Sequence, residues 1–169
     1  MRWTEGLALV ETVSRWLVGL AFAVLIGAVM VQVLGRGVFN DSPVWTEELS
    51  RFALIYLTAF GLGLSYRTGD LVNVDLVCEA LPRPLPWLLR LLSALATAFL
   101  AAMLIEPAWR YTAIGAFQTS PALEWRMDLI HGAILVSLVS LLVFSLARVA
   151  GMLTGAADGR PVSGRDEAP

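Results

Sequence analysis

Residues 17–34 read LVGLAFAVLIGAVMVQVL, eighteen residues whose only strongly polar side chain is Gln32 near the end. A helix rises 1.5 Å per residue and the hydrocarbon layer of a bilayer is about 30 Å deep, so roughly 20 apolar residues cross it. Three more stretches meet the same requirement: Trp45–Tyr66, Trp87–Ile105 and Leu129–Ala147, of 22, 19 and 19 residues. Each is apolar nearly all round, whereas a soluble helix keeps a polar face. Barrel strands would be about 9–11 residues long with alternating polarity, a pattern foreign to this chain. The fold class that follows is an all-α integral membrane protein with four transmembrane helices. One membrane domain occupies residues 1–154 and sits in the lipid bilayer.

The rest of the 169 residues leaves no room for a second folded domain. A hydrophobic fraction of 57% exceeds the ordinary soluble share, and a net charge of −2 without a basic patch speaks against nucleic acid as a partner. All 12 cationic residues are Arg. The single cysteine, Cys78, has no internal disulfide partner and reads as a small apolar helix residue. Met1–Arg15 mixes Arg2, Glu5, Glu11 and Arg15 and has no small-x-small cleavage site, so it does not read as a cleavable signal. Trp3, Leu7, Val10 and Leu17 share one face there, which predicts an interfacial helix leading into the first span. The tail from Gly155 to Pro169, GAADGRPVSGRDEAP, reads as disordered.

Cytoplasmic loops retain positive charge. Arg2, Arg15, Arg67, Arg83, Arg90, Arg148, Arg160 and Arg165 fall on one side, against Arg36, Arg110 and Arg126 on the other, with Arg51 inside a span. Eight against three predicts that both termini face the cytoplasm.

The second span sets the hardest question. Its uncharged run, Phe52–Leu64, is only 13 residues, and a full crossing requires extension to Trp45 and Tyr66. Those two aromatic rings then lie at the two headgroup levels, where such rings are enriched. The extension draws Glu47, Glu48 and Arg51 into the helix, where a charge at the bilayer centre costs about 2.5–3.5 kcal/mol or more and less near an interface. Glu47 and Arg51 are four residues apart and can pair. Two readings stand open: ordinary boundary charges, or polar contacts to a partner or within the bundle.

Beyond that span, Val74, Val77, Cys78 and Leu81 recur on one helical face, with Asp75 and Glu79 opposite and Pro82 ending the run. The pattern predicts a short amphipathic helix in the membrane plane. Arg90, one turn inside the third span, is expected to snorkel to the headgroups. Gly19, Ala23 and Gly27 form a small-residue ridge on the first span, and Ala94, Ala98 and Ala102 form one on the third; such ridges let helices approach closely. Glu106-Pro107 is expected to mark a kink or the outer end of the third span. The stretch from there to Asp128, with Trp109, Tyr111, Phe117 and Trp125, reads as lying along the outer interface.

Catalytic groupings do not emerge. The lone histidine, His131, excludes a bis-histidine haem or a multi-histidine metal site within the chain and reads as a boundary residue or bundle hydrogen-bonder. Gly61-x-Gly63 inside a span reads as packing. A transporter that works alone ordinarily has a carboxylate or broken helix near the midplane, and no span carries such a carboxylate. The chain reads as a non-enzyme without cofactor or metal.

Three stretches in order resemble the small membrane subunit of the tripartite ATP-independent periplasmic (TRAP) transporters, the DctQ family. Trp45-Thr-Glu47-Glu48-Leu-Ser-Arg51 is similar to that family's W-x-E-E-x-x-R opening of the second helix. Gly69-Asp-Leu71-Val72-Asn-Val74-Asp75 resembles its G-x-H-[IV]-x-V-D segment, and Ser120-Pro121-Ala122-Leu123 a third stretch. The likeness covers Trp16 to Leu153. Leu71 replaces the family's usual His, and His131-Gly132 stands where Pro-Gly is common. The resemblance implies a small permease subunit in the bacterial inner membrane, bracing a large multi-span subunit that binds substrate and coupling ions, usually sodium. A periplasmic substrate-binding protein would deliver the cargo, a small organic anion taken up by symport. Trp45, Glu47, Glu48 and Arg51 become partner-interface candidates, and Gly69, Val74, Asp75, Val77 and Leu81 interfacial-helix candidates. The rivals are a self-sufficient small exporter, disfavoured by the missing midplane carboxylate, and a membrane anchor for a redox enzyme, disfavoured by the lone histidine.

Overall fold

A computed structural model describes residues 2–41, 43–68 and 85–155. Four long helices follow one another: α1 (Arg2–Leu34), α2 (Val44–Thr68), α3 (Leu85–Gly115) and α4 (Met127–Leu153). Each is long and apolar enough to cross a membrane. The described residues form no strand. The expected in-plane helix with Gly69, Val74, Asp75, Val77 and Leu81 lies outside the described residues, as does the tail from residue 156 on.

Of the four helices, α1 and α3 outrun their apolar stretches furthest, and for one reason. At 33 residues α1 is about 50 Å long, so the charged lead-in and the first span are one continuous helix. Glu11 and Arg15 pair across one turn at 2.6 Å, an arrangement that stabilises the helix rather than ending it. In α3 the helix passes Glu106-Pro107 and continues to Gly115, 31 residues in all. Arg110 pairs with Glu106 in the same i,i+4 sense. Pro107 removes the one N–H that would have bonded the Met103 carbonyl, a loss membrane helices tolerate. The stretch after Ile105 is therefore helical for ten residues before the chain turns.

Between α1 and α2 the backbone widens into a π-helical turn, Gly35–Phe39, closed by Asn40 in the left-handed region at φ 51°. The amide of Asp41 donates to the Gly35 carbonyl at 3.1 Å. A Cβ on Gly35 would stand 2.6 Å from the Asp41 carbonyl oxygen, so only glycine fits this reversal.

The chain divides into two compact units. The first comprises Met1–Gly61 and Glu106–Ser137. Its buried apolar residues are Ala28, Phe52, Ala53, Ala59, Ala108, Ile130 and Ala133, and Phe52 stacks on Trp125 with centroids 6.5 Å apart. The Tyr56 hydroxyl donates to the Leu129 carbonyl, tying α2 to the first turn of α4.

The second unit comprises Leu62–Ile105 and Leu138–Pro169. Here Ala94, Ala98 and Ala101 of α3 are buried, with Phe144, Ser145, Val149 and Met152 of α4. The third-span ridge thus turns from Ala98 to Ala101 rather than Ala102, which is exposed. That is the 3.6-residue period asserting itself over a strict four-residue step. Gly63 lets α2 approach α4: a Cβ there would meet the Ser140 Oγ at 2.0 Å and Phe144 Cδ2 at 2.8 Å. The Arg148 guanidinium lies over the Tyr66 ring, 5.6 Å from its centroid. Arg90 is buried and engaged there, as a buried guanidinium must be.

Candidate functional site

The polar residues singled out in the second span gather at the first turns of α2. Pro43 precedes the helix, and its carbonyl accepts both the Thr46 amide, at 3.1 Å, and the Thr46 hydroxyl, at 2.7 Å. This fixes the entry of α2 and buries Thr46 completely. Consecutive helical residues point about 100° apart. Glu47 and Glu48 therefore serve different neighbours.

Glu47 turns to the end of α1. Its Oε1 accepts from Gln32 Nε2 at 3.2 Å and from an Arg36 guanidinium N–H at 3.3 Å. The pairing with Arg51 that the spacing allows is not made, and Arg51 is exposed with no ion pair to any described residue. Arg36 has taken its place because the π-helical turn brings that guanidinium beside Glu47.

Glu48 turns inward to the connection between α3 and α4. Its Oε2 accepts the Leu123 amide at 2.9 Å, and the Ser120 hydroxyl and Ala122 amide face the same carboxylate. That connection is a tight reversal. The Ser120 amide donates to the Trp125 carbonyl at 2.8 Å and the Met127 amide to the Gln118 carbonyl at 2.9 Å, with Glu124 left-handed at φ 53°. The Ser120 side chain, only 2% exposed, accepts the Trp125 amide. Two stretches set apart in the sequence, Trp45–Arg51 and Ser120–Leu123, are thus joined through a buried carboxylate.

Trp45 stands outside this knot, partly exposed. His131, one turn into α4, stacks on Tyr111 with ring centroids 4.1 Å apart, and its buried Nδ1 makes no hydrogen bond to a described residue. The histidine packs; it is not a bundle hydrogen-bonder through that atom. Beneath Glu47 an open groove of about 350 Å³ runs between α1 and α2, lined by Leu25, Val29, Glu47, Ser50, Arg51 and Leu54. A second groove of about 330 Å³ lies between α2 and α4. Its only hydroxyls, Thr58 and Ser137, are spent on carbonyls of their own helices, Leu54 and Ala133.

Among the described residues no group of three His, Cys, Asp or Glu side chains could hold a metal ion. The polar groups of the knot hold helix ends and a loop in register, which is positioning rather than bond-making chemistry. Sequence reasoning singled out Glu47, Glu48 and Arg51 but not their partners Arg36, Gln32 and Leu123. The one available signal was Gln32, a lone amide in an apolar span, since such a group needs a partner.

Residues 25–155 match the family described as tripartite ATP-independent periplasmic transporters, DctQ component. A curated relative, the sialic acid TRAP transporter permease protein SiaT of Haemophilus influenzae (strain 86-028NP), is 27% identical over 73 residues. That stretch is 43% of this chain and 12% of the relative, so the chain spans a small part of the relative's length.

Proposed function

Because the chain belongs to the DctQ component family of the tripartite ATP-independent periplasmic transporters, we propose that it is the small permease subunit of such a transporter. It braces a large multi-span subunit in the bacterial inner membrane, with both termini cytoplasmic. A periplasmic binding protein delivers a small organic anion, and the large subunit couples its uptake to an ion gradient by symport, sodium being the expected ion. Sialic acid, in the name of the relative, is a cargo of this chemical class.

The family match over residues 25–155 carries this reading. The exposure of α1 supports it: between residues 6 and 34 only Ser14 and Ala28 are buried. The Gly19, Ala23 and Gly27 ridge is uncovered, and a Cβ on either glycine would meet nothing within 4 Å. Without a hydrophobic drive between helices in lipid, such a ridge is where a partner helix packs closely. The fixed knot around Glu47 and Glu48 supplies the rigidity a brace requires.

The test is reconstitution. The chain and the large subunit should co-purify, and liposomes holding both, with the binding protein, should take up substrate down a sodium gradient. Liposomes with this chain alone should not. Robust uptake by the isolated chain would overturn the reading in favour of a self-sufficient exporter.

A further inference from the structure

Arg51 feels the charge of Glu48 on its own helix, but that carboxylate is bonded to the α3–α4 connection and forms no close ion pair with it. Its natural i+4 partner, Glu47, is held by Arg36 and Gln32, and Arg51 faces an open groove without an ion pair to any described residue. A guanidinium in a spanning helix that closes no ion pair is costly unless it reaches a further anion. Side chains on a helix tilt toward its N-terminus, and the N-terminus of α2 is the end that holds the α1–α2 connection. Arg51 is thereby aimed at the headgroup layer of that leaflet.

The groove is polar at one end and apolar at the other. Glu47, Ser50 and Arg51 lie toward the helix ends, and Leu54, Leu25 and Val29 run on toward the middle of α1 and α2. That order repeats the order of a phospholipid, headgroup first and acyl chain inward, in whichever leaflet the connection lies. The charges match as well. Arg51 offers N–H donors suited to a phosphate. One turn away, Glu47 has an Oε2 that accepts nothing from a described residue, since both of its bonds go to Oε1.

We propose that the groove between α1 and α2 binds one phospholipid with a primary-amine headgroup. Its phosphate sits on Arg51, its ammonium on Glu47, and one acyl chain lies along Leu25, Val29 and Leu54. This rests on the membrane assignment and not on the transporter reading. Phosphatidylcholine bears the same phosphate, but its trimethylated nitrogen has no N–H to give Glu47, so it binds less well. Phosphatidylglycerol lacks the cation altogether.

Native mass spectrometry of the purified full chain, delipidated and titrated with each of the three lipids, tests the proposal. Phosphatidylethanolamine should be retained at least about tenfold better than phosphatidylcholine at matched concentration. Arg51→Gln should lose retention of all three lipids, whereas Glu47→Gln should lose only the preference for the amine. Leu54→Trp, which fills the acyl end without touching a charge, should also release the lipid. Circular dichroism confirms that each variant is helical, and the variants that remain so carry the comparison. Equal retention of the three lipids, or wild-type retention by both Arg51→Gln and Leu54→Trp, overturns the proposal. So does displacement by free O-phosphoethanolamine at equal concentration, which would make the tail irrelevant. If Arg51→Gln leaves lipid retention intact but weakens co-purification with the large subunit, the groove takes a protein side chain instead.

Discussion

The sharpest quantitative expectation concerns Gly115, the last residue of α3. A Cβ built there lies 2.8 Å from the Asp128 amide nitrogen, 2.9 Å from the Met127 carbonyl carbon and 2.5 Å from His131 Nδ1. The imidazole can swing aside; the two backbone atoms cannot. Relief requires the end of α3 to retreat from the start of α4 by about half an ångström, and overpacking of this kind costs about 1–3 kcal/mol. Alanine in place of glycine returns up to about 1 kcal/mol of helix propensity. Gly132 is the internal control: it too is helical, but its added Cβ meets only Thr112 Cγ2, at 3.9 Å. Gly132→Ala takes the propensity gain in full, Gly115→Ala at a helix end takes less of it, and only the latter meets the clash. Gly115→Ala should therefore be less stable than Gly132→Ala by about 1–3 kcal/mol. Adding His131→Ala to Gly115→Ala should not restore the loss. Equilibrium unfolding of the full chain in mixed micelles, followed by circular dichroism, measures the difference. A Gly115→Ala midpoint equal to or above that of Gly132→Ala would refute the close backbone approach.

Three further outcomes are expected. Glu48→Ala should speed hydrogen exchange at the Leu123 amide, whereas Glu47→Ala should leave it unchanged; equal effects would mean the two carboxylates are not divided between α1 and the α3–α4 connection. In the assembled transporter, Glu48→Ala should lower uptake more than Glu47→Ala, since only the first frees a whole loop, and the reverse order would move the weight to the α1 end. Reporter fusions at Met1 and Pro169 should both signal from the cytoplasm, and a periplasmic signal at either end would defeat the arginine-based topology.

The number and order of the spans were legible in the sequence because apolar length is a direct statement about bilayer thickness. How far the helices run beyond those apolar stretches was not. Glu11 with Arg15 and Glu106 with Arg110 look like boundaries when charges are counted singly, yet each pair closes one helical turn and lets the helix continue. Pro107 likewise does not end the helix, which continues for eight residues beyond it. At the candidate site the polar residues were visible and their roles were not. Local spacing offered Glu47 an i+4 partner in Arg51, but the bonds formed run to Arg36, Gln32 and Leu123, at separations of 11 to 75 residues. No short-range pattern encodes such a pairing. The likeness of Ser120–Leu123 to a family stretch marked the position without giving the reason, which is that its amides donate to the Glu48 carboxylate.

The division of labour between the two glutamates also has a consequence in time. Of the four spans, α2 is the least apolar, and its charges depend on neighbours made both before and after it. When α2 leaves the ribosome, Gln32 and Arg36 already exist and Glu47 can be satisfied at once. Leu123 is 75 residues further along, about 4–15 s of synthesis. During that interval the Glu48 carboxylate is without its loop donors, so the packing of α2 against the α3–α4 connection is completed only after that connection has emerged. The second span is thus completed in two stages of synthesis, its α1 contacts first and its loop contacts last.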